Sequence, residues 1–445
     1  MTDLMATFKS TEKYRAAVEI VRRLKRAKAE AFLVGGCVRD LIMERSPKDF
    51  DVATSARPDQ VSKLFARTIP IGVQFGVLLV LEKGFSYEVA TFRTDLGYKD
   101  GRHPEGVRFS TPRQDALRRD FTINGLFYDP LKRQVIDYVD GRKDIKKRLI
   151  RAIGDPARRF EEDRLRMLRA VRFAVNLGFQ LDPGLLSAIQ RSAREVTRVS
   201  AERIRDELIK LFTGPHPARG LELLDESGLL SVLMPEVDRM KGVAQPPEFH
   251  PEGDVYLHTK LLLRHLKTPS SVLAFGGLLH DVGKPPTFKV AERIRFDGHD
   301  RVGADMARRI LRRLRFSNNE IDAISYLVAN HMRFKDVQKM RLSTLKRFIG
   351  APTFREEMKL HRADCLASHG DLGNWEFLKK KVKELPRKVI KPKPLVNGHD
   401  LLKAGYAQGP LIGNILRAVE EKQLEGEITS RAQALEWVAG AFPLR

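Results

Sequence analysis

Two carboxylates, Asp49 and Asp51, stand two positions apart in Pro47-Lys48-Asp49-Phe50-Asp51-Val52-Ala53. On a strand, that spacing sends both side chains to one face, where they can share a divalent metal. Hard oxygen ligands suit Mg²⁺, and metal ions steady the attacking and leaving oxygens in phosphoryl and nucleotidyl transfer. A lone Asp-x-Asp is equally what a surface turn presents, so its neighbours decide. Upstream, Gly35-Gly36-Cys37-Val38-Arg39-Asp40 is a glycine turn entering a helix. Its exposed N–H groups and Arg39 suit a triphosphate, although an ordinary tight turn has the same composition. Glu88 offers a third carboxylate, either to the metal or to a salt bridge at the rim.

Further on, the spacing predicts one helix through Phe160-Glu161-Glu162-Asp163-Arg164-Leu165-Arg166 to Phe173. Asp163 and Arg166, three apart on that helix, are neighbours on one face. They form either a helical ion pair or an acceptor and a donor fixed side by side. The second arrangement can hydrogen-bond the Watson–Crick edge of a nucleobase in place of a template. Later still come His258, His280-Asp281 followed by Val282-Gly283-Lys284, then His299, His331 and Asp364, in a chain with 11 histidines. Imidazoles and carboxylates in such a set can hold one or two transition-metal ions and generate a metal-bound hydroxide.

The elements that must carry these groups are partly legible. Residues 12–29 read as an amphipathic helix, Ala31–Val34 as a strand, and a helix starts near Val38. Asp49–Ala53 reads as a strand, and Phe75–Leu81 with Tyr87–Phe92 as a hairpin across Lys83-Gly84. The chain up to Ile150 is therefore α/β. Beyond Pro156 helices dominate, with Leu165, Leu168, Val171 and Val175 on one stripe and Ile204, Leu208 and Leu211 on another. Pro246-Pro247, Pro285-Pro286 and the Lys/Pro run Lys388–Pro394 punctuate the rest. At 445 residues, with 42% hydrophobic and 31% charged residues, the chain exceeds a single core and is not disordered. A net charge of +23 favours a polyanionic partner, nucleic acid above all, over a basic surface kept for solubility. The two cysteines, Cys37 and Cys365, form no disulfide framework and fit a reducing cytoplasm. No apolar run approaches the roughly 18 residues of a membrane span, and the amino terminus lacks a signal sequence.

Together with Arg118-Arg119-Asp120-Phe121-Thr122-Ile123-Asn124-Gly125 and Ile153-Gly154-Asp155-Pro156, these motifs resemble class II tRNA nucleotidyltransferases and their bacterial poly(A) polymerase relatives, within the polymerase beta superfamily. The likeness spans residues 30–215. It implies an α+β protein: a polymerase beta-like head, then a mostly helical neck, an HD-type helical domain and a tail. The corresponding boundaries are 1–153, 154–240, 241–375 and 376–445. It implies that Asp49 and Asp51 bind Mg²⁺ and that Gly35, Gly36 and Arg39 contact the triphosphate. Arg119, Asp120 and Asn124 would recognise ribose, and Asp163 and Arg166 the incoming base. Glu162 and Arg169 would support that helix or the phosphates, and Ser200–Ile204 the neck. Cys37 and Gly125 depart from the family's commoner alanines. The segment from Phe92 to Pro104, with Asp95, Tyr98, Asp100 and Arg102, resembles the family's flexible loop that accompanies addition of the terminal A. The histidine series resembles the HD phosphohydrolase superfamily, implying Mn²⁺, Ni²⁺ or Fe²⁺ and a phosphoester substrate.

The implied activity is addition of CCA to tRNA from CTP and ATP, with release of pyrophosphate. An A-adding specialist working beside a separate CC-adding enzyme stays open. A poly(A) polymerase fits less well, because Ile71–Val77 lacks those relatives' arginine-rich motif ending in His-Val. From a different class, an HD phosphohydrolase with a non-catalytic nucleotide-binding head is the alternative.

Overall fold

In the computed structural model, which describes residues 11–98, 104–248, 250–251 and 253–444, the first element is helix α1 (Glu12–Arg26). The Thr11 side chain caps it by accepting from the Tyr14 N–H, and Tyr14, Ala17, Ile20, Val21 and Leu24 form its buried stripe. Strand β1 (Ala31–Val34) is buried at all four positions, as a strand covered on both faces must be. It ends at Gly35, whose φ of 72° lies in the left-handed region, and helix α2 (Gly36–Ile42) starts at once. Strand β2 (Asp51–Thr54) returns antiparallel beside β1, with Leu33 opposite Val52.

Strands β3 (Thr68–Gly72), β4 (Val77–Glu82) and β5 (Phe85–Thr91) follow as a meander. A separate antiparallel pair comes next, β6 (Arg93–Tyr98) with β7 (Pro104–Phe109), then helix α3 (Pro112–Leu117). Strands β8 (Leu126–Asp129) and β9 (Gln134–Asp137) complete a seven-stranded sheet in the order β3-β4-β5-β2-β1-β8-β9. Strand β2 is therefore central, antiparallel to β1 and parallel to β5. Phe32, Val34, Ala53, Phe92, Ala116 and Phe127 pack on one side of the sheet. Strand β3 is one edge of the sheet, with Ile69 and Ile71 exposed, Pro70 between them and a register irregularity between Pro70 and Gly72.

Within this sheet domain two expectations change. Asp49 lies ahead of β2 rather than on it, so alternation along the strand does not orient its side chain. Asp95 and Tyr98, read as loop, belong to β6; Asp100 and Arg102 fall outside the described residues.

The neck helices are α4 (Pro156–Glu162), α5 (Leu165–Leu177) and α6 (Ala201–Phe212), with α5 packed on both α4 and α6. The predicted stripes Leu165, Leu168, Val171, Val175 and Ile204, Leu208, Leu211 are all buried. The single helix expected through Phe160–Phe173 is broken, because Asp163 is extended (φ −152°, ψ 105°) and its Oδ1 accepts from the Leu165 N–H at 3.0 Å. The short side chain competes with the helix for its own backbone and starts a new one.

The chain divides into two compact units, Met1–Asp238 and Arg239–Arg445. In the second, helices α7 (Val255–Arg264), α8 (Ser271–Leu279), α9 (His299–Arg313), α10 (Asn318–Asn330) and α11 (Phe354–Ala367) make a bundle. Gly283 permits a close approach within it: a Cβ there would sit 2.1 Å from the His299 carbonyl oxygen, so only glycine lets the turn after α8 meet the start of α9. A last helical group around α12 (Pro410–Glu425) has its own core of Val396, Leu401, Ile415, Val419 and Val438. No helix among the described residues is long and apolar enough to cross a membrane.

Candidate active site

The parallel pairing of β2 with β5 sets Val52 beside Val89, which places Asp51 and Glu88, each one residue earlier, side by side on neighbouring strands. Both line a cleft of about 530 Å³, together with Gly35, Gly36, Arg39, Arg118, Arg119, Asp120, Asn124, Asp163, Arg166, Arg169 and Phe173. Burial, then the charge of Glu88, pushes Asp51 up to about 6, with Asp49 adding to the rise and Arg119 opposing it. Carboxylates crowded so that one resists ionising are a donor set that a divalent cation would relieve. Asp49 itself is 80% exposed and paired with Lys13 Nζ at 2.9 Å.

The cationic wall is tied together through one carboxylate and one amide. Arg169 Nε and Nη2 donate to Asp120 Oδ2 at 3.0 and 2.6 Å. Asp120 Oδ1 accepts from Asn124 Nδ2 at 3.1 Å, and Asn124 Oδ1 accepts from Arg39 Nη1 at 2.8 Å. This relay connects α5 to α2 across the cleft. Against the cost of burial, Arg169 and Asn124 hold the Asp120 carboxyl down at about 2. At Gly35 a Cβ would come within 3.0 Å of Arg119 Nη1, so the turn's glycine makes room for a guanidinium as well as for its positive φ. Phe173 presents its ring to Arg172 at 4.0 Å and to Arg39 and Arg169 at 5.4 Å each.

Asp163 and Arg166 both reach the cleft, but from a helix break and a new helix rather than from one continuous face. Asp163 Oδ2 is held by Arg203 Nη2 of α6 at 2.7 Å, and Arg166 Nη1 donates to Glu162 and, at 3.2 Å, to the Arg159 carbonyl. Arg118 and Phe173 stand in the cleft wall without having been singled out by sequence. Arg118 sits beside Arg119 in the same motif; for Phe173 the only signal was its place after Arg169 and Arg172 in the neck helix.

In the second unit all six predicted ligands converge. Among the described residues, His258, His280 and Asp364 form one group able to hold a metal ion, and Asp281, His299 and His331 another. The Nδ1 atoms of His280, His299 and His331 face backbone carbonyls at 2.8, 2.8 and 2.7 Å, which leaves their Nε2 atoms turned inward. Asp281 is central: its oxygens lie 3.1, 3.6, 3.7 and 3.8 Å from Nε2 of His280, His299, His331 and His258, and 2.7 Å from Lys284 Nζ. Burial opposes its ionisation, yet these neighbours hold Asp281 well below the usual carboxylate range. His258 and His280 approach with Nε2 atoms 3.3 Å apart, as do His299 and His331. Paired inward nitrogens around a buried carboxylate fit a shared cation.

An α/β head with carboxylates on adjacent central strands, facing a cationic cleft at a glycine turn, defines a nucleotidyltransferase. Family models agree along the chain: "Poly A polymerase head domain" over residues 31–151, "Probable RNA and SrmB- binding site of polymerase A" over 178–241, and "tRNA nucleotidyltransferase domain 2" over 301–439. The CCA-adding enzyme of Limosilactobacillus fermentum is 33% identical over 435 residues, 96% of each chain. The chain thus belongs to the CCA-adding enzyme family. Among solved structures, the Bacillus stearothermophilus CCA-adding enzyme in complex with CTP is 29% identical and matches with a TM-score of 0.75, over 97% of this chain and 98% of that one. The Thermotoga maritima CCA-adding enzyme complexed with tRNA_CCA shares the fold at 18% identity and a TM-score of 0.60, over 98% and 97%. Divalent metal ions are a general requirement of such nucleotidyltransferases.

Proposed function

We propose that this protein adds the full CCA sequence to tRNA 3′ ends from CTP and ATP, releasing pyrophosphate. The observation that carries the reading is the juxtaposition of Asp51 and Glu88 with the Arg39–Asn124–Asp120–Arg169 relay in one cleft. Asp49 and Asp51, with Glu88 beside them, would hold Mg²⁺, which when bound neutralises charge at the transferring phosphate. Gly35, Gly36, Arg39 and the N–H groups opening α2 bind the triphosphate. Arg119, Asp120 and Asn124 orient the ribose, and Asp163 and Arg166 offer an acceptor and a donor to the base. Full-length likeness to enzymes named for CCA addition favours this over an A-only specialist. The test offers tRNA ending in the discriminator base, in CC or in CCA, with each nucleotide alone. The proposed enzyme adds C to the first, A to the second and nothing to the third; a protein that acts only on the CC end is the specialist.

The inward-facing histidines around Asp281 support a second reading for the second unit. It would hold one or two transition-metal ions, Mn²⁺, Ni²⁺ or Fe²⁺, on His258, His280, Asp281, His299, His331 and Asp364, and hydrolyse a phosphoester such as a 2′,3′-cyclic phosphate or 3′-phosphate on damaged RNA. On this reading the chain is divided as head 1–153, neck 154–240, phosphohydrolase 241–375 and tail 376–445. Two buried free thiols fit a cytoplasmic setting.

A further inference from the structure

Behind the cleft wall, on α3, sits Asp115, only 1% exposed and not itself part of the lining. Its two oxygens are divided between two guanidinium groups that do line the cleft. Oδ1 accepts from Arg118 Nε and Nη2 at 3.0 and 2.8 Å, and Oδ2 accepts from Arg119 Nε and Nη2 at 3.2 and 3.1 Å. The spacing of three and four residues puts both arginines over the same turn as the carboxylate. Burial alone would favour the neutral acid, but Arg119 and Arg118 hold Asp115 below its ordinary range, so it stands as an anion.

Arg119 is the residue that needs such an anchor. Its Nη1 reaches the Asn124 carbonyl at 3.3 Å and occupies the space a Cβ at Gly35 would crowd, which places the guanidinium against the glycine turn. The same cleft carries the like charges of Arg39, Arg118, Arg166 and Arg169 and the carboxylate of Asp51, whose ionisation Arg119's charge favours. Untethered, Arg119 would be pushed from its neighbours and drawn onto Asp51, withdrawing a donor from the nucleotide and covering a metal-binding carboxylate. We infer that Asp115 is a positioning residue for nucleotide binding, a buried fork that aims Arg119, and with it Arg118, into the cleft. A two-pronged grip of this kind suits the planar guanidinium and cannot be made by an ammonium.

This inference rests on the reading that the cleft takes the incoming nucleotide, and the experiment separates the two. CTP binding is measured by calorimetry, and KM and kcat for C and A addition are measured for Asp115→Asn, Arg119→Lys, the double variant and Arg39→Ala, with thermal unfolding as the fold check. Asp115→Asn should raise the KM for CTP and ATP alike, roughly tenfold, with a smaller fall in kcat, an unchanged KM for tRNA and a matching loss in CTP binding. Arg119→Lys, which keeps the charge but loses the grip, should do the same, and the double variant should be no worse than either single one. Arg119→Lys carries the test if Asp115→Asn unfolds. A kcat that falls with the folded fraction while nucleotide KM stays fixed, or additive effects in the double variant, overturns the positioning role. If Arg39→Ala also leaves CTP binding intact, it is the assignment of the cleft that fails.

Discussion

At the scale of single residues, the selector pair gives the sharpest prediction. Asp163 is held by Arg203 and Arg166 by Glu162, so each is presented to the cleft in a fixed orientation. Asp163→Ala or Arg166→Ala should relax discrimination among CTP, ATP, UTP and GTP by on the order of 1–3 kcal/mol, more than either weakens triphosphate binding. Incorporation assays with each nucleotide decide it: equal slowing for all four would make the pair structural. Asp51 gives a second. Its folded pKa of about 6 lies above the value of an unfolded aspartate, so its stabilising contribution is present at low pH and lost as pH rises through about 6. At neutral pH the ionised group is under repulsion from Glu88 and Asp49 that a cation relieves. Mg²⁺ should therefore raise Tm more at pH about 7.5 than at about 5, where a proton occupies the site, and Asp51→Asn should erase the difference.

At the scale of elements, the β6–β7 pair is the part whose sequence misled. Gly97 and the charges around it suggest a mobile loop, yet Asp95 is ion-paired with Arg93 and Arg118, the latter 23 positions further along the chain, and opposes Val107 in a regular register. Such long-range pairing leaves no local pattern to read. At Asp163 the cause is local: helix spacing continues through a break made by the residue's own side chain. Asp49 falls ahead of the first residue of β2, where strand alternation no longer applies. What local chemistry does encode was legible: the Gly35-Gly36 turn, the β4–β5 hairpin across Lys83-Gly84 and the neck stripes. Apart from Arg118 and Phe173, the glycines and charged residues of the cleft stand in legible motifs, whereas Asp115, hidden behind them, shows only as a spacing of three and four to Arg118 and Arg119. Shortening the segment from Asp95 to Pro104 should suppress A addition to tRNA ending in CC more than C addition to tRNA lacking it. Loss of both in proportion, measured on the two tRNAs, would reduce this segment to a general binding or folding role.

At the scale of the whole molecule, the two clusters belong to different compact units, Met1–Asp238 and Arg239–Arg445. His280→Ala with Asp281→Ala should abolish phosphoester hydrolysis and spare nucleotide addition, and Asp49→Ala with Asp51→Ala should do the reverse. Assays of both reactions on each folded double variant check this; a single variant that silences both would refute two independent sites. The net charge of +23 makes tRNA affinity fall steeply with salt in all of them, so the assays belong at one ionic strength. The sheet edge at β3 bears on how the molecule behaves in concentrated solution. An edge strand carrying Ile69 and Ile71 is the kind of template on which copies stack into insoluble ribbons. Pro70 deletes an amide donor from that strand, and the slipped register beside it spoils a straight ladder, so the edge is a poor seed for such growth despite its greasy side chains.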